Sequence, residues 1–149
     1  MREKYQGKTA MCVPEIPEKP TWEHLSNNEQ FVQCLSEVSK LPIAYNKKSA
    51  AIYSIDLSET FCYLVQGKSR IGRTNLIKIM AAAAKQKNAD VCIMDSDNGP
   101  LQSFCEKIGV EYVRSQEEIF AFCKNLTPVF QERNKIKKRS RQASLFCLG

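Results

Sequence analysis

At 149 residues the chain is long enough to bury one sizeable core and too short for several. A hydrophobic content of 43% with 26% charged residues excludes fibrous and fully disordered classes. The net charge of +6 is unevenly placed: Glu132 to Arg141 holds six cations (Arg133, Lys135, Lys137, Lys138, Arg139, Arg141) and one acid, five of the six net charges. Such a run could attract nucleic acid or anionic lipid. No aromatics interleave with it, as stacking on bases requires. It therefore reads as a solvated helix end at the negative pole of the helix dipole, and nucleic acid is not the expected partner.

No stretch approaches a membrane-spanning length, and Met1 to Tyr5 lacks the apolar core of a signal peptide. The seven cysteines (12, 34, 62, 92, 105, 123 and 147) form no C-x-x-C. Their odd number and the lone His24 argue against a disulfide framework or a zinc site and point to a reducing, cytoplasmic compartment. Cys62 and Cys92 fall in apolar runs expected to be strands, where a thiol behaves as a small hydrophobe.

Residues 1–25 read as a linker or arm, because Met1 to Thr21 has no period and carries Pro14, Pro17 and Pro20. Ser26 and Glu29 have capping-box spacing, and Phe31, Val32, Leu35 and Val38 follow at helical spacing. They predict a helix over about 27–40. Pro42 then demands an extended exit. Ile43–Tyr45 and Ala51–Ile55 flank the polar Asn46–Ser49, the pattern of a small hairpin, and Asp56–Glu59 is a second turn.

Phe61–Val65 is rich in strand formers and leads into Gly67-Lys68-Ser69-Arg70-Ile71-Gly72-Arg73-Thr74, which spells G-x-x-x-x-G-R-T. The phosphate-binding P-loop is G-x-x-x-x-G-K-[ST] between a strand and a helix. Its glycines let backbone N–H groups close around phosphate oxygens, and the next helix adds its positive end. In that scheme Thr74 holds Mg²⁺ and a lysine reaches the β- and γ-phosphates. Arg73 stands where the lysine belongs, and a planar guanidinium does not replace a compact ammonium in a cage sized for one. The simpler alternative is a tight strand–helix turn.

Leu76, Ile77, Ile79, Met80 and alanines 81–84 predict a buried helix over about 73–87. Val91–Met94 is a short apolar run expected of a parallel strand. A helix over about 101–108 closes at Gly109, and Glu111–Val113 is a further strand. Ser115 and Glu118 form a second capping box for a helix expected to kink near Pro128 and to end in the basic run. Asp95 ends its strand like a Walker B acid, yet Asp95–Asp97 suits a cap for the next helix better. The expected fold class is α/β, with a parallel sheet flanked by helices.

Several of these pieces together resemble the FtsK/SpoIIIE-type ATPase family, most closely the C-terminal module of the EssC/EccC ATPases of type VII secretion. They are Leu41–Tyr45, Ser54–Leu57, Gly67–Leu76, Ile93–Ser96 and Val129–Asn134. The resemblance implies a RecA-like P-loop NTPase fold over 26–141, with 142–149 a C-terminal tail. It implies partners among neighbouring secretion-ATPase modules and secreted proteins, at the cytoplasmic face of the membrane in a membrane-anchored complex. ATP and Mg²⁺ are the implied cofactors, held weakly or not at all given Arg73. The family's Walker B strand follows the long helix. None is recognised before Gly149, which implies a domain cut short by fragmentation, an early stop or a changed reading frame. Two alternatives stay open: a working ATPase using Lys68 or Arg70 with Asp95, and a DNA-translocase module.

Overall fold

The computed structural model describes residues 15–59, 62–95, 99, 101–135 and 146–148, with the backbone alone from 133 onward. The chain is mixed α/β with two small sheets. Helices α1 (Trp22–Ser26) and α2 (Glu29–Ser36) lead to the antiparallel pair β1 (Lys40–Tyr45) and β2 (Ile52–Asp56). Then come α3 (Arg73–Gln86), β3 (Val91–Met94), α4 (Gln102–Ile108), β4 (Glu111–Val113), α5 (Gln116–Lys135) and β5 (Phe146–Leu148). The second sheet has the order β4-β3-β5, all parallel.

The start of the chain is capped differently from expectation. Thr21, not Ser26, makes the first capping box: its hydroxyl accepts from the His24 N–H, while the His24 ring accepts from the Thr21 N–H. Ser26 ends α1, and Asn28 caps α2 through Oδ1, which accepts from Gln30 N–H at 2.9 Å. Asparagine satisfies the orphan amides of a first turn as well as serine does, and it stands two residues closer to the apolar stripe. α2 also stops at Ser36 rather than continuing to 40. Lys87 Nζ donates to the carbonyls of Leu35 (2.8 Å) and Glu37, the groups a longer helix would have used. Burial holds the Lys87 ammonium below its usual pKa. The predicted hairpin forms, with a register irregularity between Pro42 and Ala44 where the proline has no N–H to donate. Asn46 Oδ1 closes its turn by accepting from Lys48 N–H at 2.9 Å.

One core joins both sheets. Phe31 from α2, Leu41 and Ile43 from β1, and Ile55 from β2 meet Met80, Ala81, Ala83 and Ala84 of α3. Ala89, Val91, Ile93, Leu101 and Cys105 complete it. Trp22 meets Phe31 edge to face, 5.7 Å between centroids at 89°, the arrangement the ring quadrupoles favour. The small α3 side chains allow its close approach to β1 and β3. Only the C-terminal half of α3 is buried, whereas the sequence predicts burial along its length; residues 73–75 are exposed.

α4 ends as expected, with Gly109 in the left-handed region at φ 65°. The Ser115–Glu118 capping box forms in full at the head of α5, and α5 runs helically through Pro128. Two further expectations, both about strands, fail. Residues 62–65 are irregular and exposed rather than a strand, so Cys62 is not a strand residue, whereas Cys92 is buried in β3 as expected. Phe146–Leu148, expected to be tail, pairs with β3 as β5. Strands need an edge to pair with, and β5 lies beside β3 where 62–65 does not.

Candidate functional site

Residues 62–68 have no regular structure, 69–70 turn, and 71–72 bend into α3. Gly72 is the N-cap of α3 in the left-handed region, φ 96° and ψ 16°, a conformation that glycine adopts without steric cost. Arg70 is left-handed as well, at φ 66°. The first internal bond of α3 runs from Leu76 N–H to Gly72 O at 2.9 Å. The amides of Arg73 and Thr74 therefore belong to the first turn, which has no intrahelical acceptors.

Gly67 is half-buried and lies against Ile71, whose side chain takes the space a Cβ would need. Lys68, Ser69, Arg70, Ile71, Gly72, Arg73 and Thr74 are all exposed. This loop is a surface turn with three cations around a helix start, and it is not framed by a strand. It can meet an anion loosely, but it does not form a desolvated cage.

The segment before the loop is fastened elsewhere. Tyr63 Oη donates to Asp56 O at 2.7 Å, and Asp56 Oδ1 accepts from Ser58 N–H (2.8 Å) and Ser58 Oγ–H (2.6 Å). Those Ser58 bonds hold the Asp56 carboxyl below its ordinary pKa. Lost solvation, then the Asp56 charge, raises the Tyr63 phenol.

Asp95 lies just past β3. Its N–H donates to Val113 O at 3.0 Å, and its Oδ2 accepts from Tyr112 Oη at 3.2 Å. The N-cap of α4 is Leu101, which makes no side-chain cap bond; of the stretch Asp95–Asp97 expected to cap this helix, residues 96 and 97 lie outside the described residues. Gly99 lies so close to the Asp95 carboxylate that a Cβ there would collide with it. Lost solvation first, and Asp95 second, raise the Tyr112 phenol. Sequence reading had not singled out Tyr112; its place opposite Ile93 in the parallel register could have suggested it.

Among the described residues no three His, Cys, Asp or Glu side chains come together as metal ligands. Thr74 is an exposed hydroxyl with no carboxylate placed against it among the hydrogen bonds described, so these residues do not fit a built Mg²⁺ site. A cleft of about 220 Å³ lies between α5 and the sheet, lined by Asp90, Val91, Cys92, Phe122, Leu126 and Phe130 among others, far from the loop in sequence. Most of the basic run lies outside the described residues. No described helix is long and apolar enough to cross a membrane. The chain was compared with protein-family models, with curated proteins and with solved structures, and none matches.

Proposed function

We propose that the chain is a degenerate module of the FtsK/SpoIIIE ATPase type, of the kind at the C-terminal end of type VII secretion ATPases. In this reading it is RecA-like in plan and acts in protein secretion through contacts with neighbouring modules and secreted substrates. It meets nucleotide phosphates weakly and does not turn ATP over. The reading places it at the cytoplasmic face of the membrane within a larger anchored assembly.

The observation that carries this reading is the exposed G-x-x-x-x-G-R-T turn at the head of α3, with Gly72 left-handed and Arg73 in the lysine position. Phosphoryl transfer depends on cations and a metal held against the γ-phosphate in a dry site. The exposed turn supplies amides and cations, but arginine stands at the motif's lysine position and no metal site is built against Thr74 among the described residues. Exposed apolar groups near it (Tyr63, Leu64, Val65 and Ile71) favour a role in contacts.

The test is titration of wild type and Arg73→Lys with a fluorescent ATP analogue, alongside phosphate release. Wild type should bind weakly and release no phosphate. Arg73→Lys should gain about 1 kcal/mol, roughly fivefold in affinity, if it recovers one charge-assisted bond, still without turnover. Tight wild-type binding with turnover would overturn the reading.

A further inference from the structure

Cys92 and Cys147 stand directly opposite each other where β3 pairs with β5. Neighbouring strands lie about 4.8 Å apart, and residues in register share one face of the sheet. A disulfide needs its Cα atoms roughly 4.4–6.8 Å apart, so the backbone holds these two positions at bridging distance. They are the one cysteine pair in register among the described strands. The chain between them carries α4, β4 and α5.

Val91 and Ile93, on either side of Cys92, belong to the core shared with α3 and α4. Cys92 instead lines the cleft beneath α5 with Phe122 and Leu126, as alternation along a strand requires. At 1% exposure it is closed to reagents while the sheet is intact. The way in is β5, which is three residues long and forms an edge of the sheet. Short edge elements open locally at low free-energy cost. In a reducing compartment cysteine pairs rest as thiols, and the bridges they form are transient and respond to redox change.

We propose that Cys92 and Cys147 form a redox-modification site, closing to a disulfide that fastens β5 to β3 when the chain meets a low-molecular-weight disulfide. The thiolate of one cysteine attacks the S–S bond of the oxidant, giving a mixed disulfide and releasing one small thiol. The thiolate of the other cysteine then attacks the protein sulfur of that mixed disulfide and expels the second small thiol. The protein gives up two protons and two electrons, and the oxidant leaves with both as two thiols. The new bond removes freedom from the unfolded chain across α4, β4 and α5, and it ends the opening of the edge strand. The inference rests on the strand register and not on nucleotide binding.

The test is oxidation of the full chain with glutathione disulfide, alkylation of the remaining thiols and tryptic digestion without reductant. Residues 88–107 and 142–149 should emerge as one linked peptide, with fragmentation placing the bond at Cys92 rather than Cys105. The oxidised monomer should melt several degrees above the reduced chain, and dithiothreitol should return it. Cys147→Ser should lose the linked peptide and the shift, while Cys123→Ser, changed at an exposed position of α5, should keep both. Complete alkylation of Cys147 after oxidation would overturn the proposal. So would its bridging mainly to another cysteine, or an unchanged melting temperature in the linked monomer.

Discussion

Gly67 and Gly72 bound the same turn under different constraints. A Cβ at Gly72 meets nothing within 4 Å, but φ is 96°; the constraint is the backbone alone. Gly72→Ala should therefore cost about 1–2 kcal/mol, the penalty of a left-handed L-residue. A Cβ at Gly67 meets only the Ile71 side chain, which is 60% exposed and able to swing away. Gly67→Ala should cost clearly less. Urea unfolding of the two variants measures the difference, and equal losses would show that the turn is packed more tightly than this geometry gives.

α5 shows how a helix start fixed by its own residues responds to pH. Glu118 Oε2 accepts from the N–H groups of Ser115 and Arg114, each at 3.0 Å, and Ser115 Oγ accepts from Glu118 N–H at 3.1 Å. The backbone bond from Ser115, then that from Arg114, holds the Glu118 carboxyl below its ordinary value of 4.5. A carboxylate with a lower pKa folded than unfolded stabilises the fold fully above about 4.5. That contribution is lost as pH falls through the folded value. Wild type should thus lose stability on acidification more steeply than Glu118→Gln, followed by helical circular dichroism during melts from pH 7 to 3. Parallel curves would remove Glu118 from the account. Ser115→Ala should cost about 1 kcal/mol as a lost N-cap at any pH in that range.

Across the whole molecule, burial is concentrated where α3 meets β1 and β3, and large apolar side chains remain outside. Phe120 is 72% exposed on α5, in addition to the group around Leu64. Exposed apolar groups on this scale favour self-association or cover by a partner. Phe120→Lys should raise the concentration at which the chain associates, measured by size exclusion with light scattering. It should shift stability by no more than about 0.5 kcal/mol, as for other surface changes. An unchanged association threshold would place the sticky surface elsewhere.

What the sequence determined by itself was local. The hairpin around Asn46–Ser49, the Gly72 and Gly109 positions, the Ser115–Glu118 box and the apolar runs of β3 and β4 are each set by neighbours within a few residues, where backbone sterics and short hydrogen bonds act. The G-x-x-x-x-G-R-T motif was equally plain, and it does lie at a helix start. The rest was decided by partners far along the chain. Lys87 ends α2 from fifty residues away, Tyr112 reaches Asp95 from the neighbouring strand, and three residues at 146–148 become a strand because β3 offers an edge. The same run of strand formers at 62–65 stays outside the sheets. A segment becomes a strand only where another strand offers its backbone a partner, and its groups otherwise bond to side chains or water, so propensity could mark both segments as candidates, and only the tertiary arrangement could choose between them.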